Sequence, residues 1–459
     1  MISKALVKEF QKAAGKENVM NDEADRLTYS YDAAVLEPVM PSLAVRPVDG
    51  EGLSRVVRLC NENRLPLTVR GAGTNLSGGA VPSTGGVVVL TNALNRIVEL
   101  NTEDMFAVVQ PGVITAKLAA AVEAQGLFYP PDPGSQSVST LGGNVAENAG
   151  GLRGLKYGVT RDYVMGIQFF DVNGEPIKTG SRTVKCATGY NLTGLMVGSE
   201  GTLGVFNEIT LKLIPKPAYQ KAMVAVFDQM DGASRSVSAI IAAHIVPATL
   251  EFMDNFTIRA VESFSQVGLP LDAAALLLIE VDGHPAQVEE DAAKVEQLCH
   301  QHGATSIRVA RDAAERDKVW QARRSALSAL AKLKPTLVLE DATVPRSRIP
   351  EMVRAMQEIS REFEIDIGTF GHAGDGNLHP TILTDKRNRQ EWQRVEAAIA
   401  AIFDKALAMG GTLSGEHGTG IAKSCYLEKE TSPATILYSK RVKEALDPNN
   451  ILNPGKIIG

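Results

Sequence analysis

Apolar positions in the first half of the chain recur in short, regularly spaced groups. Ile2, Leu6, Val7 and Phe10 share one face at helical spacing, which predicts a short amphipathic helix over residues 2–14. Residues 43–48 alternate like a strand. Asp49 then stands as an N-cap, with Leu53, Val56, Val57 and Cys60 forming one stripe behind it. A second strand follows at 67–70, so the chain begins with a strand–helix–strand unit. Further strands are predicted at 87–90, 97–100 and 106–110, with a helix over 115–125 that stops at Gly126. Asn173-Gly174 predicts a tight hairpin between 167–172 and 175–179. A strand over 205–213 runs into Pro215 and Pro217, which mark a domain boundary near 215.

The second half changes pattern. Strand 223–227, helix 232–243 and strand 249–253 are followed by strand 276–281, helix 286–302 and strand 305–309. Two such units predict a ferredoxin-like antiparallel sheet with helices on one face. A helix over 313–333 carries Trp320, Arg323 and Arg324, and is followed by a strand at 337–340 and a helix at 349–363. Two proline-containing turns lie between 445 and 456, and this ordered tail is expected to dock back on the first domain.

Composition narrows the class. At 459 residues, two or more domains are expected. The net charge of −6 argues against a general nucleic-acid footprint. Residues 1–10 carry charges throughout, so no signal peptide is expected, and no apolar run is long enough to span a bilayer. Cys60, Cys186, Cys299 and Cys425 are scattered without a CxxC pair. That spacing excludes an iron–sulfur cluster held by this chain alone and fits a reduced, cytoplasmic setting. Any membrane contact would go through a partner.

The chemistry concentrates in glycine-rich segments. Gly71-x-Gly73 lacks a third glycine, since Leu76 stands there, and no helix follows it, so a dinucleotide-binding (Rossmann) loop is rejected. Residues 130–158 form a longer glycine-dense stretch, expected to lack regular structure and to wrap a ligand with exposed backbone N–H groups. Asp375-Gly376 reads as a two-residue type I′ turn. That register would make His372 and His379 direct cross-strand partners, close enough to share one metal ion. With Glu416 nearby in a second glycine-rich segment, they form a His/His/Glu set suited to a divalent ion such as Zn²⁺ or Fe²⁺. Three of the seven histidines fall in these two segments, which favours a site over an ordinary hairpin.

Six segments in this order, 70–79, 131–151, 198–205, 371–379, 415–418 and 453–456, together resemble the vanillyl-alcohol-oxidase type of FAD enzyme. Within that type the chain looks like the D-2-hydroxyacid dehydrogenase branch, which includes D-lactate dehydrogenases, glycolate oxidase flavin subunits and D-2-hydroxyglutarate dehydrogenases. The resemblance implies an α+β, two-domain fold: an FAD-binding domain of the PCMH type over 1–215, a ferredoxin-like substrate (cap) domain over 216–445, and a tail at 446–459 that returns to the FAD domain. It implies that Arg70, Gly71, Ala72, Gly73, Thr74, Asn75, Gly78 and Gly79, with Pro131, Asp132, Gly134 and Ser135, form the cradle for the FAD pyrophosphate. Leu141, Gly142, Gly143, Asn144, Asn148 and Gly151 would line the flavin, with Tyr157 and Gly158 beyond them. Glu200, Gly204 and Val205 would lie on the adenosine side, and Asn453 would return to the isoalloxazine. Thr74 stands where some relatives attach FAD through a His, so the flavin should be noncovalent.

By the same likeness His372, His379 and Glu416 are metal ligands, His417 is the catalytic base and Arg323 grips the substrate carboxylate. Thr381 stands where the hydroxyglutarate enzymes have Asn, and Leu339 where they have Lys. Both point to a short substrate such as D-lactate or glycolate, because a second buried carboxylate would lack a partner. With no cluster motif and no nicotinamide site, electrons should pass to a protein partner, either an electron-transfer flavoprotein or an iron–sulfur subunit. The competing readings are a D-2-hydroxyglutarate dehydrogenase, a metal hydrolase built on the His/His/Glu set, and a non-catalytic flavin subunit.

Overall fold

A computed structural model describes residues 2–458. The chain divides into two compact units. The first holds the residues up to Gly150, then Val159–Lys216 and the segment from Glu416 onward; the second holds Gly151–Gly158 and Pro217–Gly415. One division between the units falls at Lys216–Pro217, beside the two prolines. Two features differ from expectation. The return to the first unit comes at Glu416, well before 446, and residues 151–158 belong to the second unit.

Both differences have a hydrogen-bonding cause. The backbone N–H groups of Thr419 and Gly420 donate to the Glu200 carboxylate at 2.7 Å each, and those of Ile421 and Ala422 donate to the Ser77 carbonyl. The segment after 416 is therefore tied to the first unit before the tail begins. In the second unit, Tyr157 Oη donates to Asp282 Oδ2 at 2.6 Å, and Lys156 Nζ donates to the Asp282 carbonyl at 2.6 Å. Residues 151–158 are thus held on the strand Ala275–Gly283.

In the first unit, Leu43–Val45 and Leu67–Arg70 pair in parallel on either side of Val87–Leu90. The helix Gly50–Glu62 connects the first two, and Asp49 caps it by accepting from the Gly52 N–H at 2.7 Å. Its stripe of Leu53, Val56, Val57 and Cys60 is wholly buried, as its spacing predicts. The tail does return here: the Leu67 N–H donates to the Ile451 carbonyl, and the Asn453 N–H donates to the Leu67 carbonyl. A second, antiparallel sheet has the order Ile97–Asn101, Phe106–Val109, Val205–Lys212, Val164–Phe170, Pro176–Gly180. Its last hairpin is not tight. Phe170 pairs with Pro176, so five residues form the loop around Asn173-Gly174, and Asp171 Oδ1 accepts from the N–H groups of Asn173 and Glu175.

The glycine-dense stretch is also more ordered than expected. It contains a helix, Leu141–Glu147, whose Thr140 N-cap hydroxyl accepts from the Gly143 N–H and whose end is set by Asn148 in the left-handed conformation (φ 53°). Leu141 and Val145 anchor it in the core, and that burial outweighs the low helix propensity of Gly142 and Gly143.

The second unit is built on one large sheet. Its first four strands follow the order Ala304–Val309, Tyr219–Phe227, Ala275–Gly283, Thr249–Asp254, the ferredoxin-like arrangement that the two strand–helix–strand units predict. Beyond Thr249–Asp254 the sheet continues with Asp366–His372, Asn377–Thr384 and Thr336–Leu339. The predicted helix over 313–333 is two helices, Ala313–Arg324 and Ala326–Ala331, meeting at Ser325, whose hydroxyl bonds the Ala322 carbonyl and competes locally with the helix ladder. Among the described residues, no helix is long and apolar enough to cross a membrane.

Candidate functional site

The first unit contains a cavity of about 570 Å³, open mouth included. Gly71, Gly73, Asn75 and Gly79 from the loop after Leu67–Arg70 line one side; Gly142, Gly143 and Glu147 line another; Glu200, Gly201 and Gly204 line a third. A wall this rich in glycine exposes backbone rather than side chains, which suits a flat or phosphate-bearing ligand. The glycines are also needed for packing. A Cβ on Gly71 would overlap Thr140 Oγ1, and one on Gly73 would overlap the Arg70 guanidinium.

Several residues expected in the cradle shape it from behind. Arg70 donates from Nη1 to the Tyr31 carbonyl at 2.5 Å and supports the Gly73 turn. Asn453 donates from Nδ2 to the carbonyls of Gly79 (2.9 Å) and Glu200 (2.7 Å), which ties two walls together. Leu141 and Val205 are core side chains. Asn144 Nδ2 donates to Thr115 Oγ1 and Asn148 Oδ1 accepts from the Arg161 N–H, which fixes the orientation of both amides. Gly78, at φ 81°, packs on Leu36 and Ile421. Asp132 is buried, whereas Gly134 stands open; these two, with Ala72, Thr74, Pro131 and Ser135, are not among the residues lining the cavity. Gly151, Tyr157 and Gly158 belong to the second unit.

The cavity wall also holds Glu147, which carries no local signal in the sequence. Glu147 meets Ser77 Oγ at 3.4 Å, and a Cβ on Gly418 would overlap its Oε2 while standing 3.0 Å from Glu200 Oε1. Burial, with Glu200 and Asp32 close by, pushes the Glu147 carboxyl well above the ordinary carboxylate range. Glu200 is raised to about 6 by burial, opposed by its two backbone N–H donors. Lys456, whose Nζ donates to the Val81 carbonyl at 2.6 Å, is lowered to about 8 by burial.

The second unit carries the histidines. Phe370 pairs with His379 and His372 pairs with Asn377, so the loop is four residues long and the expected two-residue turn is wrong. A type I′ turn needs positive φ at both central residues; Gly376 has it (φ 89°), but Asp375 is not among the residues that do. His372 and His379 are diagonal neighbours instead. The shift between the two registers is even, so both rings remain on one face, with centroids 4.9 Å apart. Both are buried.

Register builds the rest of this face. Phe252 pairs with Gly371, which sets Glu251 beside His372. Glu251 is fully buried and holds two groups: its Oε1 bonds His372 Nδ1 at 2.6 Å, and its Oε2 accepts from Arg323 Nε at 2.6 Å. Burial pushes this carboxyl up, but the charges and hydrogen bonds of His372 and Arg323 overcome that and leave it below its ordinary value. Arg323 lies over the Phe370 ring at 4.6 Å. Two positions further along, Thr381 pairs directly with Leu339, so the two residues read as size determinants face each other.

Glu416 is peptide-bonded to Gly415, which is packed against Thr343 and Asn377 of the same sheet. Asn377 and Ser414 both donate to the buried Asp341, which fixes the approach of this segment. His372 and His379 present two imidazoles on one sheet face, and Glu416 follows Gly415 directly in the chain. Two imidazoles and a carboxylate fit a divalent ion with open positions. His417 follows Glu416 and is half-buried.

Residues 41–180 match the family described as FAD binding domain, and residues 216–457 match FAD linked oxidases, C-terminal domain. Glycolate oxidase subunit GlcD of Bacillus subtilis (strain 168) is 50% identical over 457 residues, covering 100% of this chain and 97% of that protein. D-lactate dehydrogenase of Anaerostipes hadrus is 35% identical, covering 99% and 98%. A solved structure of p-cresol methylhydroxylase with substrate bound superimposes with a TM-score of 0.83 at 18% identity, covering 99% and 97%. That last likeness supports the fold. The glycine-walled cavity suits the cofactor that the first family names, and the chain belongs to the FAD-linked oxidases of the vanillyl-alcohol-oxidase type, as an FAD-dependent hydroxyacid dehydrogenase.

Proposed function

We propose that this chain oxidises short D-2-hydroxyacids, D-lactate first and glycolate next, to the 2-oxoacid. The observation that carries the reading is the single sheet face that holds His372 and His379, with Arg323 joined to it from a helix through Glu251 and with Thr381 opposite Leu339. Arg323 uses Nε on Glu251, and neither Nη group is hydrogen-bonded among the described residues. That leaves the outer edge of the guanidinium to take a substrate carboxylate. Thr381 and Leu339 offer a second carboxylate no cation, which argues against D-2-hydroxyglutarate.

His372, His379 and Glu416 would hold a divalent zinc or iron ion, which would supply Lewis acidity toward the substrate hydroxyl. FAD bound in the first unit supplies the hydride acceptor. His417 takes the hydroxyl proton as general base, since neutral imidazole has a suitable affinity for it. Thr74 provides no nucleophile of the His or Cys type, so the flavin is held noncovalently. The protein works in the cytoplasm and hands electrons to an electron-transfer flavoprotein or an iron–sulfur subunit. Its relatives named as a glycolate oxidase subunit support a multi-subunit setting.

Steady-state rates with an artificial electron acceptor test the substrate. D-lactate and glycolate should outrun L-lactate and D-2-hydroxyglutarate in kcat/KM. The opposite order would refute the assignment.

A further inference from the structure

Glu251 is an anomaly in its strand. Thr249–Asp254 reads Thr-Leu-Glu-Phe-Met-Asp, and its first five residues are buried. A carboxylate in such a place is costly unless both oxygens are compensated. Here each oxygen has one strong partner, and the two partners come from different elements. His372 ends the strand Asp366–His372, whereas Arg323 lies in the last turn of the helix Ala313–Arg324.

The bonding atoms matter more than the charges. Because Oε1 engages His372 Nδ1, the imidazole carries its proton there, which is the tautomer whose Nε2 is the basic, metal-binding nitrogen. Because Oε2 engages Arg323 Nε, rotation of the guanidinium is restricted, and the bond uses Nε rather than either Nη group. Phe370 packs beneath the guanidinium and also lies 5.6 Å from the His379 ring, so one aromatic side chain backs both groups.

We propose that Glu251 is the positioning residue of the second unit: one carboxylate that sets the tautomer of His372 for a divalent metal and the orientation of Arg323 for a substrate carboxylate, so that the two binding events depend on the same side chain. The proposal rests on the reading of His372 as a metal ligand. It assigns Glu251 no contact with substrate and no step in hydride or proton transfer.

The test uses the full-length flavoprotein and its Glu251→Gln variant. Zn²⁺ affinity is measured by competition with a chromophoric chelator, flavin content by absorbance, and KM and kcat for D-lactate by steady state. The variant should keep its flavin, lose Zn²⁺ affinity by about 10–100-fold, and raise KM. Equal Zn²⁺ affinity in both proteins would overturn the proposal while leaving the metal reading standing. Absence of Zn²⁺ binding in the wild type would remove both together. A variant that fails to fold does not end the test, because the tautomer can be read in the wild type. Long-range ¹H–¹⁵N correlation on histidine-labelled, Zn²⁺-loaded protein should show His372 protonated at Nδ1. A His372 protonated at Nε2 would overturn the proposal by itself.

Discussion

Two buried glutamates, one in each unit, show opposite solutions to the same electrostatic problem. Glu251 has a guanidinium on one oxygen and an imidazole on the other, and its carboxyl is held below the ordinary range. Glu147 has a serine hydroxyl at 3.4 Å and two carboxylates nearby, and its carboxyl is pushed well above that range. Burial acts in the same direction on both; the neighbours decide the sign. The first is therefore a fixed negative charge that organises cations, as a metal-and-substrate site needs. The second is an acid whose ionisation is opposed in the wall of the glycine-lined cavity, where the phosphates of a bound FAD would oppose it further.

Removing the compensation from Glu251 should have the largest effect. Arg323→Met leaves a buried carboxylate with one partner, and loss of one member of a buried pair costs about 3–5 kcal/mol. Urea unfolding should show a stability loss of that order, and kcat/KM for D-lactate should fall through both KM and kcat, because the lost contact binds and orients. A variant as stable as the wild type would mean that Glu251 is not the fixed charge described here.

Glu147 should respond in the opposite direction and more weakly. Its folded-state value lies above its unfolded one, so the stability it contributes is fully present below the ordinary 4.5 and is lost as pH rises through the folded value. Glu200, raised to about 6, adds to the same loss. Melting temperature of the purified flavoprotein should therefore decline from pH 5 to pH 8. Glu147→Gln cannot ionise, so it should decline less, with wild type and variant converging near pH 4. A parallel decline in both proteins would place the titration elsewhere.

The contrast also explains what the sequence could reveal. Asp49, the helix stripe behind it and the two strand–helix–strand units were legible because their signals are local: a cap next to its helix, apolar spacing within one element. The glycine loops announced the cavity, and His372, His379 and Glu416 announced themselves by residue type. The register between the histidines was misread, because Asp-Gly favours a two-residue turn and only the backbone shows that Ala373 and Gly374 extend the loop. The helix Leu141–Glu147 was hidden by its glycines and fixed by Leu141 and Val145 in the core. Glu251 had no local signal. Its partners lie 72 and 121 residues away, and the sole hint is an acid set between Leu250 and Phe252. Glu147 was obscured in the same way, since its neighbours Asp32 and Glu200 come from distant loops.

Flavin reduction by a hydroxyacid should depend on a divalent metal held by His372, His379 and Glu416. The most direct measurement is anaerobic mixing of D-lactate with flavoprotein that has been stripped of metal by a chelator, compared with the same protein after Zn²⁺ or Fe²⁺ is restored. The flavin absorbance should bleach rapidly in the restored sample and by orders of magnitude more slowly in the stripped one, with equal FAD in both. Bleaching at the same rate in the stripped protein would contradict the account.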